Sequence, residues 1–106
     1  MVSLKEIREM AGRIARDFQP TRIILFGSHA RGTSNAESDV DILVVMPFKG
    51  RRSAKAVEIL DRIKPRFGVD LLVRTPEEVR RRLSWNDFFL REIMEKGRVL
   101  YEAADT

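Results

Sequence analysis

Two aspartates at the start of an apolar run, Asp39 and Asp41, are the residues of this chain best suited to do chemistry. They stand at positions i and i+2, so on a β-strand both side chains point to the same face. Two like charges about 7 Å apart along one strand repel each other beside a hydrophobic core unless a cation draws them together. The spacing therefore predicts a metal site, and the apolar residues 42–45 predict that the strand carrying it is buried.

A turn of small residues lies upstream of this pair. Gly27 and Ser28 close an apolar segment, residues 23–26, whose composition predicts a strand. Gly27 permits close backbone approach, and the N–H groups of a turn or helix start, with the Ser28 hydroxyl, can bind terminal phosphates. Arg31 can pair with a phosphate or with a neighbouring carboxylate. His29, the only histidine, is expected to face solvent or to lie near the phosphates rather than to catalyse.

A third aspartate completes the candidate site. The turn ends the first strand and Asp39 and Asp41 begin the second, so a shared site requires these strands to run antiparallel. Asp70 begins a third strand after a helix that allows a crossover, so a parallel third strand brings Asp70 beside the pair. Such a cluster suits Mg²⁺, which takes one or two carboxylates plus substrate phosphate oxygens. Two ions about 3.5 to 4 Å apart could activate an attacking hydroxyl and stabilise leaving pyrophosphate.

The elements that must position these residues follow from hydrophobic spacing and capping residues. The predicted helices are residues 4–18 after the capping box of Ser3 and Glu6, a helix capped by Ser53 that ends near Pro65, one that begins at Thr75 and Pro76 with Glu78 closing its box, and one that begins within residues 84–87 and stops at Gly97. The predicted strands are residues 22–26, about 39–46, 69–73 and a short edge strand at 99–101, with a short helix or loop at 28–33.

Length and composition narrow the class of protein. The chain has 106 residues, which suits one core, so we predict a single domain over residues 1–106. The absence of cysteine excludes disulfides and thiolate metal sites. The N-terminus lacks an apolar signal region and no stretch approaches the roughly 20 apolar residues of a membrane span, so a cytoplasmic protein is expected. The net charge of +4 favours polyanions without choosing between nucleotides and nucleic acids.

Two motifs resemble the minimal nucleotidyltransferase family of the DNA polymerase beta superfamily: Gly27-Ser28-x-Ala30-Arg31-Gly32, and Ser38-Asp39-x-Asp41-Ile42-Leu43-Val44 with Asp70 on a later strand. The resemblance is specific in the first half of the chain and weaker after Asp70. It implies an α/β (α+β) nucleotidyltransferase fold, a small mixed β-sheet flanked by helices, together with Mg²⁺ and a nucleoside triphosphate.

The same resemblance assigns roles to the motif residues. Asp39 and Asp41 are expected to be metal ligands, and Asp70 a ligand of the catalytic ion that also helps to activate the acceptor. The residues expected to contact the nucleotide or its phosphates are Gly27, Ser28, Arg31 and Ser38. For Ser38, a role as a turn or cap residue stays open as an alternative.

The implied activity is transfer of a nucleoside monophosphate, AMP from ATP, to a hydroxyl of a second molecule with release of pyrophosphate. Larger members of the superfamily carry an extra domain for the acceptor, and 106 residues leave no room for one. Resemblance to the minimal members therefore implies a partner protein, commonly a small helical HEPN-type toxin modified on a tyrosine. The chain would then be the antitoxin of a toxin–antitoxin pair.

Other functions stay open. The chain could be an antitoxin that silences its partner by occlusion, although the intact aspartates count against this, or an enzyme acting on a small molecule or an RNA end. The basic runs Arg51-Arg52 and residues 80–82 lack interleaved aromatics and are expected to be solvated surface, so direct nucleic-acid binding is not expected. An apolar stretch is expected to pack in the core, with a partner-binding face as the alternative; it consists of Leu83, Trp85, Phe88, Phe89 and Leu90. A homo-oligomer is possible.

Overall fold

A four-stranded sheet carries the fold in the computed structural model, which describes residues 1–104. The strands are β1 (Arg22–Phe26), β2 (Val40–Val45), β3 (Val69–Arg74) and β4 (Arg98–Glu102), in the spatial order β3-β2-β1-β4. β1 is antiparallel to β2 and β4, whereas β2 and β3 are parallel. The predicted mixed sheet and strand directions are confirmed. Residues 105 and 106 of the predicted 1–106 domain lie outside the described residues.

Helices cover both faces of this sheet. Within residues 1–104 they are α1 (Leu4–Phe18), α2 (Ser28–Arg31), α3 (Arg52–Ile63), α4 (Pro76–Ser84) and α5 (Phe88–Lys96). None of these described helices combines the length and the apolar character that a membrane crossing requires. The predicted capping box of α1 is present, since the Ser3 hydroxyl accepts from the Glu6 N–H and the Glu6 carboxylate accepts from the Ser3 N–H, each at 3.1 Å.

Two predicted helix starts are wrong in detail. Ser53 does not cap α3, which begins at Arg52 with Arg51 in the cap position. Thr75 caps α4 as predicted, its hydroxyl accepting from the Glu78 N–H at 3.1 Å. The Glu78 carboxylate does not close the box, because it accepts instead from Arg52 at 2.6 Å. A tertiary ion pair therefore replaces the local hydrogen bond that the sequence spacing predicts.

The two faces of the sheet pack against different helices. One face buries the apolar side of α1 and α3, and the other packs against α4 and α5. The core of the second face consists of Ile24, Leu43, Val45, Val79, Leu90 and Ile93. Because side chains alternate along a strand, Asp41 lies on this second face, in line with Leu43 and Val45. The aspartate thus marks the point where the α4/α5 core ends and a polar site begins.

The expectation that the apolar stretch is core is confirmed for Leu90 and for the partly buried Leu83, and it is wrong for the three aromatic residues. Trp85, Phe88 and Phe89 are 65%, 82% and 52% exposed. α5 begins at Phe88, capped by Asp87, and it turns Leu90 rather than the aromatics into the core. The direction of this helix decides which residues are buried, and periodicity over so short a helix does not predict that direction.

Candidate active site

β2 and β3 bring Asp41 and Asp70 into direct register. The two residues are paired across the parallel ladder, and Phe26 at the end of β1 is the antiparallel partner of Asp41. Neighbouring strands lie about 4.8 Å apart, so the two carboxylates stand side by side on the α4/α5 face. Asp39 precedes β2 by one residue, and its charge also acts on Asp41. The structure therefore brings all three predicted aspartates together at one edge of the sheet.

The Asp41 carboxyl group is destabilised in its ionised form. Burial raises its pKa above the ordinary value, and the charges of Asp70 and Asp39 raise it further. Positive charge on His29 and Arg31 lowers the same pKa by less. A group whose pKa is raised on folding makes the folded state less stable when it ionises. A bound cation or a neutral replacement at this position should therefore stabilise the fold.

Two glycines make room for the aspartate carboxylates. A Cβ added to Gly27 would lie 2.0 Å from Asp41 Oδ2, and a Cβ added to Gly68 would lie 2.2 Å from Asp39 Oδ1. Gly27 also has a φ of 73°, which residues with a side chain rarely adopt. The absence of a side chain at Gly27 therefore leaves room for the Asp41 carboxylate on the β1 side, and its absence at Gly68 leaves room for the Asp39 carboxylate on the β3 side.

Gly68 is a site residue that the sequence analysis missed. It lies two residues before Asp70, and its carbonyl oxygen accepts from the Val40 N–H at 2.9 Å, which extends the β2–β3 pairing. The only signal in the sequence is a glycine just before an apolar strand, a pattern common to ordinary turns. Its contact with Asp39 follows only from the register of the two strands.

We expect Gly68→Ala to weaken divalent metal binding at least about tenfold while the fold persists, since the added Cβ displaces the end of a flexible side chain rather than backbone. The measurement is Mn²⁺ binding by electron paramagnetic resonance in the presence of an ATP analogue, with thermal melting. Gly12→Ala is the matched control, because Gly12 lies within α1 and its Cβ meets nothing within 4 Å. That control should keep its metal affinity, and its free energy of unfolding should rise by about 0.5–1 kcal/mol. Equal Mn²⁺ affinity in Gly68→Ala and wild type would contradict the inference that Gly68 leaves room for the Asp39 carboxylate to bind metal.

The turn after β1 forms a single helical turn, α2. Gly27 is its N-cap residue and brings no side chain to its first N–H groups, which leaves these donors available to an anion. The half-buried Ser28 adds its hydroxyl at the same point. Arg31, at the end of α2, is exposed and close enough to Asp41 to influence its pKa. The structure thus places the predicted phosphate donors beside the aspartates.

Ser38 and His29 have local partners. The Ser38 hydroxyl accepts from the Asn35 N–H at 3.0 Å, so it closes the turn before β2 and takes the alternative role left open by the sequence. His29 Nδ1 lies 3.2 Å from the Asp39 carbonyl oxygen and, as the protonated nitrogen, donates to it. His29 Nε2 is buried and has no hydrogen-bond partner in residues 1–104. The imidazole therefore lies against the site rather than in open solvent.

A pocket of about 200 Å³ opens beside the turn. Its lining consists of Phe26, Gly27, Ala30, Arg31, Phe89, Glu92, Ile93, Lys96 and Gly97. The ring of Phe89 meets that of Phe26 edge to face, with centroids 5.8 Å apart. α5 therefore supplies one wall of the candidate site, although no motif in the sequence marks that helix.

The aspartates fit a hard cation in their chemistry. Within the described part of the chain, no group of three or more histidine, aspartate or glutamate side chains is arranged closely enough to hold a metal ion by itself. Mg²⁺ does not require such a cage, since it keeps several waters and takes one or two carboxylates plus substrate phosphates. The repulsion that raises the pKa of Asp41 is the unneutralised charge that a cation would offset.

The fold and this site together define a nucleotidyltransferase domain. A family model described as the nucleotidyltransferase domain matches residues 7–100. The chain therefore belongs to the nucleotidyltransferase family, and the resemblance inferred from the motifs is confirmed.

Several individual proteins are similar to it. A protein of Methanocaldococcus jannaschii with the provisional name protein adenylyltransferase is 32% identical over 103 residues, which are 92% of this chain and 96% of the relative. A crystal structure of a provisionally named nucleotidyltransferase from Sulfolobus solfataricus has a TM-score of 0.65 at 25% identity, covering 93% of this chain and 79% of that one. A crystal structure of a toxin–antitoxin with AMP-PNP has a TM-score of 0.60 at 24% identity, covering 92% and 74%, and so shares the fold.

Proposed function

We propose that this protein transfers AMP from ATP to a hydroxyl group of a partner protein in a Mg²⁺-dependent reaction. The observation that carries the proposal is the placement of Asp41 beside Asp70, with Asp39 adjacent and the Gly27 turn next to them. The name of the Methanocaldococcus jannaschii relative supports a protein as the acceptor. The ATP analogue AMP-PNP in the structurally similar toxin–antitoxin supports ATP as the nucleotide.

Each site residue has a task in this proposal. The N–H groups of α2, the Ser28 hydroxyl and Arg31 would bind the terminal phosphates, while Asp39, Asp41 and Asp70 would hold two Mg²⁺ ions. When bound, these ions neutralise phosphate charge and favour the deprotonated acceptor hydroxyl. The acceptor oxygen forms a bond to the α-phosphorus of ATP. The bond between the α-phosphorus and the oxygen that bridges the α- and β-phosphates breaks, and pyrophosphate leaves. The hydroxyl proton passes to solvent by way of the Asp70 carboxylate.

The acceptor in this proposal is a separate molecule. The elements within residues 1–104 form one sheet and its flanking helices, and β3 with Asp70 is an exposed edge of that sheet. A hydroxyl group can therefore reach Asp70 from outside the chain. A toxin–antitoxin pair with a small helical HEPN-type toxin as the modified partner, acting in the cytoplasm, completes the proposal.

The competing candidate is a binding module that silences the same partner by occlusion. The exposed aromatics are consistent with it, since Trp85, just after α4, and Phe88, the first residue of α5, are 65% and 82% exposed. Large exposed aromatic side chains are typical anchors of protein interfaces. An enzyme with a protein acceptor needs such a surface as well, so the two candidates differ in chemistry rather than in docking.

Co-expression with the neighbouring gene product separates these candidates. We expect the intact mass of the neighbour to rise by adenylate-sized additions, about 329 Da each, with the wild-type protein and to stay unchanged with Asp41→Asn. An occluding module would instead give a stable complex of unmodified neighbour that survives Asp41→Asn and weakens with Trp85→Ala. A persistent complex without added mass would decide against the enzymatic proposal for this partner.

A further inference from the structure

A second pocket on the same face of the sheet is lined by three arginines. It has a volume of about 130 Å³, and its lining consists of Leu43, Arg52, Leu72, Arg74, Arg82, Asp87, Phe89 and Leu90. Leu43 and Leu72 are paired in register and stand two residues after Asp41 and Asp70. A two-residue step along a strand is about 7 Å, so the floor of this pocket adjoins the aspartates.

The charges in this arginine pocket do not balance. Glu78 is only 8% exposed and pairs with Arg52 at 2.6 Å and with Arg82 at 3.9 Å. Asp87 pairs with Arg82 at 3.6 Å. Within residues 1–104, Arg74 forms no ion pair, and its Nη1 donates to the Val73 carbonyl at 2.8 Å. Three guanidinium groups against two carboxylates leave one positive charge in excess, and it falls on Arg74.

The surroundings of Arg74 make that excess charge costly. Burial lowers the pKa of Arg74, the charges of Arg52 and Arg82 lower it further, and Glu78 opposes them. An oxyanion in the pocket would supply the missing counter-charge. The planar fork of a guanidinium group binds a carboxylate or phosphate through two parallel hydrogen bonds.

We propose that the arginine pocket is a subsite for an acidic side chain of the acceptor protein. The inference rests on the proposed function, since it assumes a protein hydroxyl at Asp70. The Gly27 turn, which binds the phosphates in the proposed function, follows β1, and β1 and β3 flank β2 on opposite sides. The arginine pocket lies over β2 and β3, so it is on the side of the site away from the nucleotide. Same-face side chains of an extended segment recur about every 7 Å. If the modified residue lies at Asp70, an acidic residue two to four positions further along an extended acceptor segment would therefore lie beside Leu72 or Arg74, which line the pocket.

Inorganic phosphate tests the pocket without any transfer reaction. Its binding is followed by nuclear magnetic resonance at the arginine side-chain N–H groups, at constant ionic strength and with Mg²⁺ present, first without nucleotide and then with AMP-PNP at saturation. We expect saturable binding to the wild type and at least about tenfold weaker binding to Arg74→Gln. Arg80→Gln is the matched control, because Arg80 is exposed on α4 and pairs with Glu77 at 3.7 Å. Equal phosphate binding by Arg74→Gln, or displacement of phosphate by AMP-PNP, would overturn the proposal, the latter by assigning the pocket to the nucleotide.

Steady-state transfer to the modified neighbour tests the assignment to the acceptor. Arg74→Gln should raise the KM for the acceptor at least about tenfold and leave kcat and the AMP-PNP affinity within about threefold, since the pocket holds a non-reacting group. Thermal melting shows whether the variant is folded, and removal of an uncompensated, half-buried charge should not lower the melting temperature. An unchanged KM would overturn this inference alone. Absence of transfer by the wild type would overturn the proposed function, while the phosphate titration would still decide whether the pocket binds an oxyanion.

Discussion

Asp39→Asn combined with Asp41→Asn is expected to reduce AMP transfer at least about 10³-fold, because the neutral amides lose the charge that holds a divalent cation. The substitution keeps the shape of both side chains, so the space beside Gly27 and Gly68 still accommodates them. Transfer is measured by incorporation of label from ATP. Asp61→Asn, on the exposed face of α3, is the control and should leave transfer unchanged.

The same double variant should melt at a higher temperature than wild type near neutral pH. The pKa of Asp41 is raised in the folded state above its ordinary value of 3.8, so ionisation opposes folding. The stability difference should be small below that value and should grow as the pH rises through the raised pKa. Mg²⁺ should raise the melting temperature of wild type and not of the variant. Undiminished transfer would remove the metal-site proposal, and loss of the fold would make the aspartates structural.

The sequence predicts the architecture of the site well because the aspartates stand at strand ends. If the Gly27 turn is to share a site with Asp39 and Asp41, β1 and β2 must be antiparallel, and if Asp70 is to join them, β2 and β3 must be parallel. This is the observed arrangement. Local capping is predicted where nothing competes for the side chains, as with Ser3 and Glu6 of α1.

Prediction fails where a partner from another part of the chain decides the outcome. The Glu78 carboxylate does not close its own helix cap, because it pairs with Arg52 of α3. Gly68 acquires a role only when β3 lies beside β2. The exposure of Phe88 depends on the direction in which α5 leaves its turn. None of these long-range contacts leaves a periodic signal in the sequence.

Asp70→Asn is expected to separate catalysis from nucleotide binding. Transfer should fall at least about 10²-fold while the affinity for Mg²⁺ and ATP stays within about tenfold, since Asp70 acts on the acceptor side and its interaction is strongest in the transition state. The pKa of Asp41 should fall in this variant, because one of the two charges that raise it is removed.

Single-turnover transfer with pre-bound nucleotide distinguishes this division of roles from its alternative. If Asp70 activates the acceptor, the single-turnover rate falls in Asp70→Asn and saturating Mg²⁺ and ATP do not restore it. If Asp70 chiefly binds the nucleotide, affinity and rate fall together and excess substrate restores the rate. The exposed position of Asp70 on the edge strand, where a docked hydroxyl can reach it, favours the first outcome. Restoration of the rate by excess Mg²⁺ and ATP would place Asp70 with the nucleotide and leave the acceptor without an activating carboxylate.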